Sequence, residues 1–212
     1  MASEKAENQM GPRLMARRQA FLEAATAVFQ EKGYANTTLD DIIARSGGSR
    51  QTLYSLFGGK QGLFDAILVQ RAVSIFAVFE VEDLLDRPLR EMLVKLGTKF
   101  LETILKPNAL GTYRLMVAES AQMKELNERF WETGPGRARA LLTGYFEELT
   151  QRGRLRLADP YRAANQFFGM MTGSWQMQCL LGLREAPDAE EIDLFVQEAV
   201  DCFLHGCWTG KE

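Results

Sequence analysis

Arg50, Gln51, Thr52, Tyr54 and Ser55 crowd one short stretch, GGSRQTLYSLFGGK, at residues 47–60. These side-chain types suit nucleic acid. Arginine forks onto guanine, glutamine onto adenine, hydroxyls donate to phosphate oxygens, and the threonine methyl meets that of thymine. A helix advances by about 100° per residue. With Leu53 at the centre of an inward face, Leu56 and Phe57 fall on the same side. Gln51 and Ser55 then point directly away, Thr52 and Tyr54 flank them, and Arg50 reaches outward from the first turn. The surface so exposed is expected to hold no acid. A polar helix face is ordinarily just solvated, but this one follows a capped helix and a glycine turn and precedes Lys60 at another helix start. That context favours DNA contact.

The elements that must position this stretch read as helices. Phe21, Ala24, Ala25, Val28 and Phe29 recur at i, i+3, i+4, i+7 and i+8 and form one apolar stripe, closed by Gly33. Thr38 suits an N-cap, Asp40 and Asp41 follow in the first turn, and Leu39, Ile42 and Ile43 face inward up to Gly47. Ser49 caps the helix carrying Arg50. Two short helices across a glycine turn, behind a longer one, make a helix-turn-helix. A long stripe follows through Leu63, Phe64, Ile67, Leu68, Ile75, Phe76 and Phe79. Pro88, Pro107, Pro135, Pro160 and Pro187 divide the remainder into helix-sized segments, because proline is tolerated at a helix start but not inside one. No segment alternates polar and apolar residues as a half-buried strand does. The expected fold is all-α. A three-helix helix-turn-helix domain at 13–60 is joined by a long helix, running to about residue 80, to a larger helical bundle within 61–207. Residues 1–12 lack periodicity and are expected to be an arm.

Composition narrows the functions. The chain has 212 residues and a formal net charge of −3, which argues against coating a polyanion but permits one local basic face. Cys179, Cys202 and Cys207 are odd in number and suggest reduced thiols in a cytoplasmic protein. The most apolar run, 163–183, contains Asn165, Gln166, Gln176 and Gln178, so a buried helix is expected rather than a membrane span. His205 is the single histidine, so a His-based triad must use it and a metal site with two histidines is excluded. Cys202 and His205 share a helical face, but a free cysteine is more often a small core residue. GGKQG lacks the strand and spacing of a phosphate loop. Glu190, Glu191 and Asp193 read as the first turn of the last helix. No cofactor, metal site or catalytic activity is expected.

Residues 14–68, through AATAVFQEKGYANTTLDDIIARSGGSRQTLYSLFGGKQGLFDAIL, resemble the DNA-binding domain of the TetR/AcrR family of transcriptional regulators. The segments TYRLMVAES, WETGPGRARALLTGYFEEL and RGRLRLADPYRAANQFFGMMTGSW resemble the AefR-like subgroup over roughly 85–205. The resemblance implies homodimers on pseudo-palindromic double-stranded DNA operators, usually repressors released by a small ligand. It puts phosphate contacts on Thr38, Tyr54 and Lys60 and base reading on Arg50, Gln51 and Thr52; Ser49 and Ser55 complete the expected set. The chain departs from the family pattern at Gly48, where an apolar residue such as valine is usual, at Leu56, and at Gly59 and Gly62. An interior glycine costs a helix about 1 kcal/mol relative to alanine. The start of the connecting helix is therefore expected to be a weak hinge, with Gly62→Ala stabilising it by about 0.5–1 kcal/mol.

Aromatic and methionine side chains in the larger part could line an adaptable pocket for an apolar or amphipathic inducer. The candidates are Phe100, Tyr113, Met116 and Phe146, with Phe167, Met170, Met171 and Trp175; Glu119, Gln166 and Tyr113 could orient the ligand. Plain core packing is the competing account of each. Helices at about 160–182 and 189–206 carry more apolar surface than one buried stripe needs, so Trp175, Leu180, Leu181, Phe195, Val196, Ala199 and Phe203 are expected at a dimer interface. The alternative function is an all-α ligand carrier or enzyme whose N-terminal domain is only an interaction module.

Overall fold

A computed structural model of the chain describes residues 11–80, 83–118, 120 and 124–206. Among these the regular structure is helical throughout. Four helices come first: α1 (Pro12–Lys32), α2 (Leu39–Ser46), α3 (Arg50–Phe57) and α4 (Lys60–Phe76). Two 3-10 turns, Ala77–Phe79 and Leu84–Asp86, lead to α5 (Leu89–Ile104), α6 (Pro107–Ala118) and α7 (Lys124–Thr133). The chain continues with α8 (Pro135–Gln151), α9 (Pro160–Thr172), α10 (Trp175–Leu180) and α11 (Ala189–His205). The prolines act as helix starters. Pro12, Pro135 and Pro160 stand in first turns, Pro107 opens α6, Pro88 caps α5, and Pro187 precedes Asp188, the N-cap of α11.

Two compact units form, each around its own core. Among the described residues, the first takes in those of 11–70 and 111–130, the second those of 71–110 and 131–206. Phe21, Leu22, Ile42, Leu53, Leu63 and Phe64 fill the first core, where Phe29, Tyr34 and Phe64 meet ring to ring at centroid distances of 5.2–5.7 Å. Burying each such side chain contributes about 1.5–3 kcal/mol. The second core is built from Leu93, Leu96, Leu101, Phe146, Phe167 and Phe168, with α9 packed on α8 and α11 on α5.

Three expectations change. The division expected at residue 60 does not coincide with the compact units: residues 111–130 pack with the N-terminal helices, and Met116 is part of the first core. The helix expected at 160–182 breaks after Thr172, where Gly173 turns the backbone to φ 47, and α10 restarts at Trp175. α4 ends at Phe76 rather than near residue 80, giving way to the tighter Ala77–Phe79 turn. The arm expected at 1–12 lies mostly outside the described residues, and helix already begins at Pro12.

Candidate nucleic-acid interface

α2 is fixed at its start by a reciprocal cap. The Asp41 N–H donates to Thr38 Oγ1 at 3.2 Å and the Thr38 N–H donates to Asp41 Oδ2 at 2.9 Å. Lys32 Nζ donates to Asp41 Oδ1 at 2.6 Å. The Lys32 ammonium, followed by the bonds from Thr38, lowers the Asp41 carboxyl to about 2. At the other end Gly47 and Gly48 make the turn at φ 68 and 96, and Arg17 Nη1 donates to the Ser46 carbonyl at 3.0 Å. A Cβ on Gly48 would stand 2.9 Å from Phe21 Cζ and 3.3 Å from Arg17 Cδ. The departure from the family's apolar residue at this position thus has a steric cause, and Arg17 is the bolt that composition did not reveal.

Ser49 caps α3: the Thr52 N–H donates to Ser49 Oγ at 3.1 Å, and the two hydroxyls lie 2.8 Å apart. Leu53, at 0 % exposure, nails the helix to the first core. Gln51, Tyr54, Ser55 and Arg50 are exposed and Thr52 is half-buried, as the phasing from sequence expects of an outward face. The exposed surface is not free of acid, however. Asp40, on α2, accepts from Arg50 Nη2 at 2.7 Å. Both groups are well solvated, so this pair is worth under about 1 kcal/mol and is easily exchanged for a stronger acceptor. The acid lies on a neighbouring helix, ten positions upstream in sequence, and phasing α3 alone could not find it.

Lys60 is placed differently from the outward cation expected. Its ammonium donates to the carbonyls of Tyr34 at 2.8 Å, Thr37 at 2.9 Å and Ala35 at 3.3 Å, and lies 4.5 Å from the Tyr34 ring centroid. It ties the start of α4 to the loop between α1 and α2. Gly62 is also more than a weak helix former. A Cβ there would collide with the Phe57 carbonyl oxygen, so alanine cannot enter without moving backbone. The stabilisation expected from Gly62→Ala is overturned: the glycine is what lets α4 start against the end of α3.

The expected ligand and dimer residues scatter. Phe100, Phe146, Phe167 and Met171 are buried in the second core, Met116 in the first, and Tyr113 stacks edge-on against Phe130 at 6.2 Å. Gln166 is exposed and Met170 half-buried, while Glu119 lies outside the described residues. None of the described candidates lines either of two clefts bordering α8, of about 500 and 290 Å³. Of the dimer candidates, Val196 is fully buried in its own subunit and cannot meet a partner. Phe203 packs on Phe146 and Phe167 at 5.9 and 5.5 Å. Trp175 and Phe195 pack on each other at 4.4 Å, and Leu180 and Ala199 are half-buried beside the core. Leu181, at 65 % exposed, is joined by Met177, Leu183 and Leu194 at 60, 73 and 61 %, which were not anticipated.

A capped helix, a glycine turn and a second helix offering arginine, glutamine and hydroxyls define a helix-turn-helix DNA-binding regulator. The larger helical part separates its kind from others. Residues 21–67 match the family described as bacterial regulatory proteins, tetR family, and residues 91–206 match the AefR-like transcriptional repressor C-terminal domain. The chain belongs to the TetR family and carries the AefR-like C-terminal domain. It is similar to the uncharacterized HTH-type transcriptional regulator YvkB of Bacillus subtilis strain 168, at 24% identity over 77% of this chain and 83% of that protein. A solved structure from Mesorhizobium loti MAFF303099 assigned to the same family superposes with a TM-score of 0.72 at 27% identity, covering 92% of this chain and 98% of that one. The flavonoid-responsive regulator FrrA superposes with a TM-score of 0.70 at 28% identity over the same shares. Such regulators are DNA-binding proteins rather than enzymes.

Proposed function

We propose that the protein is a homodimeric repressor that binds a pseudo-palindromic operator in the cytoplasm and leaves it when a small molecule binds. The observation that carries this reading is α3: a short helix held by Ser49 and Leu53, with Arg50, Gln51, Tyr54 and Ser55 exposed. Arg50 and Gln51 read base edges. Thr52 offers its methyl to a base beside them, Tyr54 and Ser55 meet phosphates, and the N-termini of α2 and α3, capped by Thr38 and Ser49, present backbone N–H groups next to those phosphates. Arg50 exchanges Asp40 for a guanine edge or a phosphate on binding. Lys60 keeps the loop before α2 in place rather than spending its charge on the duplex.

One such helix contacts too little DNA for tight specific binding, so two copies are needed about 34–36 Å apart. Met177, Leu181 and Leu183, on and just after α10, and Leu194, on α11, are exposed apolar side chains on the elements that carry the Trp175–Phe195 pair, and they are the candidates for meeting the second copy. A small-molecule trigger is supported by the likeness to a flavonoid-responsive regulator. Its effect reaches α3 through α4, and the glycines at 58, 59 and 62 are where α4 meets α3. A ligand needs only a few kcal/mol of preference for the released state. The test is genomic DNA capture by purified protein, followed by footprinting of the retained fragments. Protection of two inverted half-sites supports the reading, and retention with no common sequence refutes it.

A further inference from the structure

α2 carries two acids in its first turn, and the chain uses them differently. Asp41 closes the cap with Thr38 and accepts from Lys32. Asp40, one position earlier, takes no part in that cap. Its carboxylate turns across to α3, where Oδ2 accepts from Arg50 Nη2 at 2.7 Å. Both side chains are well exposed, so packing holds neither of them and both can turn to an incoming duplex. The helix dipole accounts for an acid at the start of α2. It does not account for where that acid finds a partner once Arg50 has turned to a guanine.

Arg50 opens α3, and the first residues of a recognition helix are those that reach base edges. Successive base pairs lie about 3.4 Å apart. Asp40 Oδ2 is 2.7 Å from the guanidinium, so its carboxylate stands within one such step of the base that Arg50 reads. Other cations are already engaged: Lys32 pairs with Asp41, and Arg45, on α2 itself, pairs with Glu31. A carboxylate left facing acceptors in a groove that is losing water is costly. Phosphate oxygens, guanine O6 and N7, thymine O4 and adenine N7 are all acceptors. Cytosine alone offers the major groove an amino donor, N4, with no acceptor beside it, and aspartate is a matching acceptor.

We propose that Asp40 is a second reader of sequence, on α2 rather than on the recognition helix: when Arg50 leaves it for a guanine, its carboxylate accepts from the N4 amino group of a cytosine in the neighbouring base pair. Asp40 approaches from a different helix, to one side of Arg50, so the choice it adds falls on the next pair. The proposal rests on the reading of α3 as the element that meets bases. The test selects duplexes from a random pool with full-length wild type, Asp40→Asn and Arg50→Ala, then measures affinities for the selected site and for the same site with that cytosine replaced by thymine. Asp40→Asn leaves the Thr38–Asp41 cap in place and is expected to fold as wild type. Thymine is expected to weaken wild type about tenfold. It is expected to weaken Asp40→Asn less than about threefold, because an amide can donate to O4 as well as accept. Asp40→Asn is expected to keep the guanine that Arg50→Ala loses. A carboxylate that only repelled phosphates would, on removal, raise affinity for every duplex alike and leave the cytosine preference intact. That outcome, or an Asp40→Asn that relaxes only the guanine relaxed by Arg50→Ala, would overturn this proposal alone. Enrichment of no sequence by wild type would overturn the reading of α3 and this proposal with it.

Discussion

Lys60 shows how a residue's type can suggest one role and its surroundings another. A lysine at the start of the connecting helix reads as a phosphate ligand, yet its ammonium donors meet the carbonyls of Tyr34, Ala35 and Thr37. Hydrogen bonds from a charged donor contribute about 1.5–3 kcal/mol when buried and less when half-exposed. Lys60→Ala is expected to destabilise the first unit by about 1–3 kcal/mol and to weaken operator binding without changing its salt dependence. Loss of one phosphate contact would instead reduce the slope of log K against log salt by about 0.9. Asp41 makes the corresponding statement about pH. Its carboxyl is lowered from 3.8 to about 2 in the folded protein, so the ionised form is the one the fold prefers. The sign follows: the contribution is complete above the unfolded value and disappears as pH falls toward about 2. In thermal unfolding, the Tm gap between wild type and Asp41→Asn is expected to be full above pH 4 or so and to close as the pH approaches about 2. A gap that widened on acidification would contradict the cap geometry.

At the scale of the element, Gly62 decides whether α3 and α4 can meet. Helix propensity alone favours alanine there, but the Phe57 carbonyl occupies the space a Cβ needs. Gly62→Ala is therefore expected to cost about 1–3 kcal/mol, the range of overpacked sites, measured by denaturant unfolding; a stabilised variant would show that α3 and α4 separate freely. The same case marks what sequence could disclose. Helix starts and stops were legible because they are local chemistry: prolines in first turns, Thr38 and Ser49 as caps, Gly33 and Gly47 at the ends. The outward set on α3 was legible because a period of 3.6 residues and one buried leucine fix the phase. Asp40 beside Arg50 and the placing of Met116 in the first core are contacts between separate elements, and the clash behind Gly62 depends on how the chain turns between α3 and α4; a helical period encodes none of these. The two clefts bordering α8 escaped for another reason. Aromatic content cannot distinguish a filled core from a lined cavity, and Phe100, Phe146 and Phe167 proved to be core.

For the whole molecule, assembly and specificity are one question, since a single recognition helix does not supply enough contact. Leu181→Glu and Leu194→Glu add charges to side chains already 65 and 61 % exposed, so they are expected to leave the fold intact. By sedimentation they are expected to turn a dimer into monomers, and with it to remove tight operator binding. A wild-type chain that sediments as a monomer at micromolar concentration would contradict this assembly. The central claim, that α3 reads DNA sequence in paired copies, is tested most directly by selecting duplexes from a random pool with wild type and Gln51→Ala. The account predicts two inverted half-sites for wild type. For Gln51→Ala it predicts a loss of about 1–3 kcal/mol with preference relaxed at one base pair in each half-site. Enrichment of no sequence by wild type, or an unchanged site for Gln51→Ala, would contradict it.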